Sequence, residues 1–193
     1  MTANLLLHDD RTITLRGERF SVCMDSEMIQ NRVAELGARI SVDYEGKRPI
    51  LIGVLNGAFM FLADLMKKIR IDCEVDFVKL SSYGAEKISS GVVRELKKID
   101  ADLEGRHVLV VEDIVDTGLS MQYILDIMHS QNPESVKVVT LLHKYEATEV
   151  HVQLDYVGFR IKNQFVVGYG LDYGQVGRNL PDLYVLDPHE DDS

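Results

Sequence analysis

VLVVEDIVDTGLSM, residues 108–121, joins an apolar run to a helical pattern through a glycine-containing loop. Val108 to Val111 form an unbroken apolar run, the pattern of a strand buried on both faces. Two carboxylates follow, Glu112 and Asp113. A third, Asp116, precedes Thr117, Gly118, Leu119 and Ser120, where the helical pattern starts. The first backbone N–H groups of a helix lack intrahelical partners, and the helix dipole favours negative charge there, so the loop suits a phosphate. Adjacent carboxylates suit hydroxyls or a metal ion. Sugar hydroxyls and a phosphate held a few residues apart describe a ribose 5-phosphate.

Outward from this stretch the chain alternates strands and helices. Residues 49–55, PILIGVL, read as a buried strand ending at Asn56-Gly57, with a helix over 58–69. Residues 73–80 alternate, with Val75, Phe77 and Leu80 among polar neighbours, as a half-buried strand does. Residues 81–91, SSYGAEKISSG, have no apolar period and read as a mobile loop, with 92–99 as the returning arm of a hairpin. A helix is expected over 119–130, then strands over 135–142, 150–161 and 165–170. Before all of these, Ile29, Val33, Leu36 and Ile40 share one face of a helix over 28–40, with Asp25 as its N-cap. Strands this apolar, alternating with helices, form a parallel sheet covered on both faces, and such sheets bind ligands at the carboxyl ends of their strands. Asn56-Gly57, Glu112-Asp113 and Lys144 each follow an apolar strand and can line one crevice.

The bulk numbers bound the answer. The chain has 193 residues, 46% hydrophobic and 27% charged, which fits one domain or a core with a small appendage. No apolar run approaches the roughly 20 residues of a membrane span, and the short apolar stretch near the N-terminus lacks the basic flank of a secretory signal. A formal charge of -10 opposes a general nucleic-acid binder. Cys23 and Cys73 lie in no metal-binding spacing and read as reduced thiols of a cytoplasmic protein. No histidines are spaced as a metal pair; His143 reads as a partly buried strand residue. The tail, residues 187–193, reads as a solvated acidic end.

The segment EDIVDTG resembles the phosphoribosyl pyrophosphate motif of the type I phosphoribosyltransferases, and its form is most similar to the hypoxanthine-guanine members of purine salvage. The resemblance extends from about residue 51 to residue 180. It implies that Glu112 and Asp113 hold the ribose 2- and 3-hydroxyls. Asp116 would face the purine N7 and act in proton transfer, and Asp116 to Ser120, with Thr117, Gly118 and Leu119 between, would hold the 5-phosphate. Lys144 matches the strand-end lysine that donates to the 6-oxo group. Phe165 and Val166 match the base-stacking segment, Asp172 the magnesium-binding aspartate beside the base, and Arg178 the arginine that contacts pyrophosphate. Ser82 and Tyr83 match the pair opening the lid. Mg2+ would be shared among Glu112, Asp113 and Asp172.

The fold implied is α/β, a mostly parallel central sheet flanked by helices, with a small hood. It would be a single domain over residues 1–193, its core about 25–170 and its hood from about 1–24 and 160–193. The reaction implied is transfer of phosphoribosyl from phosphoribosyl pyrophosphate to N9 of hypoxanthine or guanine, giving IMP or GMP and pyrophosphate, by a cytoplasmic homodimer or homotetramer. One position departs from the pattern: the first loop has Asn56 before Gly57, where the family usually has Lys or Arg. Asparagine keeps the backbone contact, often made through a non-proline cis peptide, but lacks the long cation. Two other readings stand beside this one. One is a phosphoribosyltransferase-like regulator that binds nucleic acid; the charge opposes it. The other is a xanthine- or pyrimidine-specific transferase; the LHK segment ending at Lys144 and FVVGY from Phe165 oppose it.

Overall fold

The computed structural model describes residues 5–7, 11–81 and 94–188. Three short strands come first, β1 (Leu5–Leu7), β2 (Thr12–Leu15) and β3 (Glu18–Met24), followed by helix α1 (Ser26–Asp43). Asp25 caps α1 as expected, its carboxylate accepting from the Met28 N–H at 2.9 Å. Then come β4 (Ile50–Leu55), α2 (Phe59–Lys68), β5 (Glu74–Ser81), β6 (Arg94–Lys97), β7 (His107–Val115), α3 (Leu119–His129), β8 (Ser135–Lys144) and β9 (Tyr156–Ile161). Two short strands end the chain, β10 (Val166–Val167) and β11 (Leu183–Leu186).

The expected parallel sheet is present, in the order β6-β5-β4-β7-β8-β9, with only β6 antiparallel at its edge. The apolar run of β7 divides between two cores. Leu109 and Val111 pack with Ile29, Val33, Phe61 and Leu65 of α1 and α2. Val108 and Val110 pack with Met121, Ile124 and Met128 of α3. A strand clothed on both faces has no position for a polar residue until it leaves the covered region, which explains the unbroken apolar run. Each such side chain, fully buried, contributes about 1.5–3 kcal/mol.

Three expectations are corrected. The strand expected over 150–161 is only Tyr156–Ile161. Val150, Val152 and Leu154 alternate because they pack into the α3-side core, yet the backbone at Glu149 and Val150 bonds to Thr117 instead of joining a ladder. The strand expected over 165–170 is only Val166–Val167, and it belongs to a second sheet. Positive φ at Gly168, Tyr169 and Gly170 turns the chain out of extended conformation there. Finally, β7 runs through Val115, so Glu112 and Asp113 lie within the strand, not after it.

The second sheet is antiparallel, in the order β1-β2-β3-β11-β10, and closes over Phe20, Leu15, Val167, Leu180 and Tyr184. It brings the N-terminal strands against the last one, with Phe20 opposite Leu186. Ser82 and Tyr83 lie outside the described residues, as does most of the expected loop. The base of that hairpin is fixed by Asp76. Its carboxylate accepts from Lys97 Nζ at 2.9 Å and from the N–H groups of Asp100 and Ala101 at 2.6 and 2.9 Å. Burial pushes the Asp76 carboxyl up, but these donors and the Phe77 N–H outweigh it and hold it at about 2. Among the described residues no helix is long and apolar enough to cross a membrane.

Candidate active site

The carboxyl ends of β4, β7 and β8 meet as expected. Glu112 and Asp113 are buried side by side near the end of β7. Burial, and then the neighbouring Asp113 carboxylate, pushes Glu112 well above the usual carboxylate range. Burial also raises Asp113, though hydrogen bonds from Glu112 and the Ile114 N–H and the charge of Arg178 oppose it. Two adjacent carboxylates in an apolar strand cannot both hold full charge cheaply, so a ligand that brings hydroxyl donors or a cation stabilises them.

Asp116, Thr117, Gly118 and Ser120 wrap a hollow of about 90 Å³ that Glu112 and Met121 also line. Gly118 precedes α3 with φ 87°, a left-handed conformation natural to glycine, and a side chain there would strike the Val150 carbonyl. The Thr117 carbonyl accepts from both the Glu149 and Val150 N–H groups, at 3.0 and 2.9 Å. The segment after β8 therefore braces the phosphate-type loop. Lys144, the last residue of β8, donates to Asp116 Oδ2 at 2.9 Å. The lysine side chain is only 11% exposed, whereas Asp116 is 47% exposed, so the aspartate is the partner open to a ligand. His143, beside it, faces Thr148 and is held below its ordinary pKa by burial.

The first loop closes the other side. The Leu55–Asn56 peptide is cis. Gly57 lies so close to Asp113 that a Cβ there would overlap the carboxylate, and a Cβ at Gly170 would meet the Gly57 carbonyl. Arg178 donates to the Gly170 carbonyl at 2.7 Å and pairs with Asp172 at 2.5 Å. Asp172 also accepts from the Gln175 N–H at 2.7 Å, closing a tight turn. Asn56-Gly57, Asp113, Gly170, Asp172 and Arg178 thus form one continuous wall. Val166 is buried, while Phe165 is half exposed and stands edge-on to Tyr173 at 5.5 Å. Among the described residues no three His, Cys, Asp or Glu side chains gather as a metal site, so Glu112, Asp113 and Asp172 do not converge on one point.

Residues 25–174 match the family model of the phosphoribosyl transferase domain. The chain is 44% identical over 167 residues to the hypoxanthine-guanine phosphoribosyltransferase of Bacillus subtilis, covering 86% of this chain and 93% of that one. The chain belongs to the phosphoribosyltransferase family, in its hypoxanthine-guanine branch. It is also 44% identical to the bifunctional protein TilS/HprT of Listeria monocytogenes, spanning 86% of this chain but only 26% of that longer protein. A crystal structure of a hypoxanthine-guanine phosphoribosyltransferase from Bacillus anthracis, with HEPES in the active site, superposes with a TM-score of 0.83 at 40% identity, over 86% of this chain and 98% of that one.

In this phosphoribosyltransferase Tyr169, the last residue of FVVGY, and Asp64, to which sequence reading assigns no role, pair with each other. Tyr169 is buried beneath the Gly170–Asp172 segment, and its hydroxyl donates to Asp64 of α2 at 2.8 Å. Burial pushes Asp64 up, but Lys67, Gln30 and Tyr169 together hold it below the usual carboxylate range. The two glycines flanking Tyr169 were the available signal, since each marks a backbone turn. Tyr169→Phe is expected to lower stability by about 1 kcal/mol, the net worth of one buried hydrogen bond, in a urea titration, with no change in the denaturant slope. An unchanged midpoint would show that the bond carries no stability.

Proposed function

We propose that this chain transfers the phosphoribosyl group of phosphoribosyl pyrophosphate to N9 of hypoxanthine or guanine, releasing pyrophosphate and yielding IMP or GMP in purine salvage. The observation that carries the reading is the Lys144–Asp116 pair at the lip of the phosphate-type loop, directly after the buried Glu112-Asp113 pair. A cation–carboxylate pair for a base, carboxylates for sugar hydroxyls and a loop for a phosphate then lie within one short stretch and its neighbouring strand end.

Glu112 and Asp113 accept from the ribose hydroxyls, which offsets the strain of their mutual burial. The N–H groups at the start of α3, with Thr117 and Ser120, bind the 5-phosphate. Lys144 donates to the 6-oxo oxygen; an amino group there would face an ammonium that has no acceptor. Asp116, held by Lys144, faces N7 and takes up or shares the proton displaced as N9 bonds to the sugar. Phe165 stacks on the base, with Val166 beside it. Asn56-Gly57 and Arg178 hold the departing pyrophosphate; Arg178 exchanges Asp172 for it. Positive charge on one side and carboxylates on the other suit an oxocarbenium-like transition state.

Magnesium fits the Glu112–Asp113 pair and Asp172 taken separately, because each offers hard oxygen ligands. Mg2+ also prefers one or two carboxylates plus substrate oxygens and water to a ready-made cage. When bound it offsets leaving-group charge. The second sheet serves as the hood of a single domain. The free thiols of Cys23 and Cys73 support a cytoplasmic setting. The net charge of -10 supports small-molecule substrates over nucleic acid. The assembly is a homodimer or homotetramer, as the family resemblance implies.

Initial rates with hypoxanthine, guanine, xanthine and adenine, each with magnesium and phosphoribosyl pyrophosphate, test the reading. Hypoxanthine and guanine are expected to turn over, with adenine at least about a thousandfold lower in kcat/KM. Comparable rates with adenine would overturn the role of Lys144, and no transfer to any base would overturn the reading.

A further inference from the structure

We infer that Lys79 binds the pyrophosphate leaving group, forming with Asn56 the cationic wall of that subsite; the inference rests on the transferase reading above. Strands β4 and β5 pair in parallel with Leu55 opposite Lys79, so Lys79 emerges from the sheet level with the first loop. Its ammonium donates to Asn56 Oδ1 at 3.2 Å. An ammonium can only donate, so the Asn56 carboxamide turns its oxygen to Lys79 and its NH2 away. Towards a ligand the pair therefore offers donors alone.

The loop has two unlike sides. β4 lies between β5 and β7, so Lys79 flanks the loop on one side and the buried carboxylates on the other. Gly57, the next residue, rests against the Asp113 carboxylate. Pyrophosphate carries several negative charges and must be held away from Glu112 and Asp113. Arg178 reaches pyrophosphate only by giving up Asp172, its partner at 2.5 Å, so a cation that gives up no carboxylate suits the same polyanion. Among the described residues the Lys79 ammonium is paired with no carboxylate. Lys79 is partly buried and its hydrogen bond to Asn56 is exposed, so the ammonium can turn toward a polyanion from that resting place.

The test is calorimetric titration of magnesium pyrophosphate into the wild-type protein and into Lys79→Ala, Lys79→Arg and the double variant Lys79→Ala with Asn56→Lys. Steady-state KM values for hypoxanthine are measured beside it. Lys79→Ala is expected to weaken pyrophosphate binding about tenfold or more, the loss of one charge-assisted hydrogen bond, with the hypoxanthine KM unchanged. Lys79→Arg is expected to stay within about threefold of wild type. The double variant is expected to recover most of the loss, since it returns a cation to the same wall. Unchanged pyrophosphate binding in Lys79→Ala would overturn the inference. So would a loss of equal size in the hypoxanthine KM, which would mark a general disturbance of the fold. A wild-type protein that binds pyrophosphate through Lys79 but transfers to no base would overturn the transferase reading and leave the subsite standing.

Discussion

Asp116→Asn is expected to lower kcat by roughly 10²–10⁴-fold, the range of a positioned acid–base group, while the KM for phosphoribosyl pyrophosphate changes little. The substitution keeps the shape of the side chain and an oxygen that can accept from Lys144, which now reaches Asp116 Oδ2 at 2.9 Å. It removes the capacity to take a proton. On the proposed reading the sugar and phosphate are held by other groups: the Glu112 and Asp113 carboxylates, and a loop backbone pinned through the Thr117 carbonyl. An effect confined to kcat marks an interaction made in the transition state and not in the ground state. Steady-state kinetics at saturating hypoxanthine check it. Wild-type kcat in the variant would remove Asp116 from proton transfer, and a matching rise in KM would recast it as a substrate-binding group.

Gly57→Ala is expected to reduce kcat/KM by about 100-fold or more, because displacements near 1 Å at a reacting centre have consequences of that order. The added methyl group would overlap the Asp113 carboxylate, so either the loop or the carboxylate must move. The carboxylate cannot give way easily, since it is buried and bonded to the Ile114 N–H at 3.0 Å. The loop cannot easily retreat either, because Gly170 sits against the Gly57 carbonyl. Both walls of the site should therefore shift together. Far-UV circular dichroism is expected to match wild type, since the loop lies outside the two main cores. Near-normal kcat/KM would show that the close packing of Gly57 and Asp113 is incidental to catalysis.

Much of this architecture was legible in the chain. The two-core sheet follows from apolar runs such as Val108 to Val111, which only a strand covered on both faces permits. The helix start at Leu119 follows from the glycine before it. Apart from Val166–Val167 the second sheet was not legible as strands, because β1, β2 and β11 are only three or four residues long and the register depends on partners far along the chain, as with Phe20 and Leu186. Residues 150–155 misled for a physical reason. Their alternation is genuine and reflects packing into a core, but period alone says nothing about where backbone hydrogen bonds go. Of the site, carboxylates beside a phosphate-type loop were legible as chemistry, whereas the partnership of Lys79 and Asn56 was not. The two are 23 residues apart and meet only through the register of neighbouring strands.

The double hydrogen bond onto the Thr117 carbonyl has a consequence for how the chain can change over time. Both donors are backbone amides, at Glu149 and Val150. Any amino acid except proline supplies such an amide. The spacing between Lys144 and the phosphate-type loop, which on the proposed reading separates the base from the far end of a nucleotide, is thus gauged by main-chain atoms. Side chains between residues 145 and 150 can drift without recalibrating that gauge. The length of the molecule the site accepts is inherited through the backbone, while its preferences among bases remain open to adjustment.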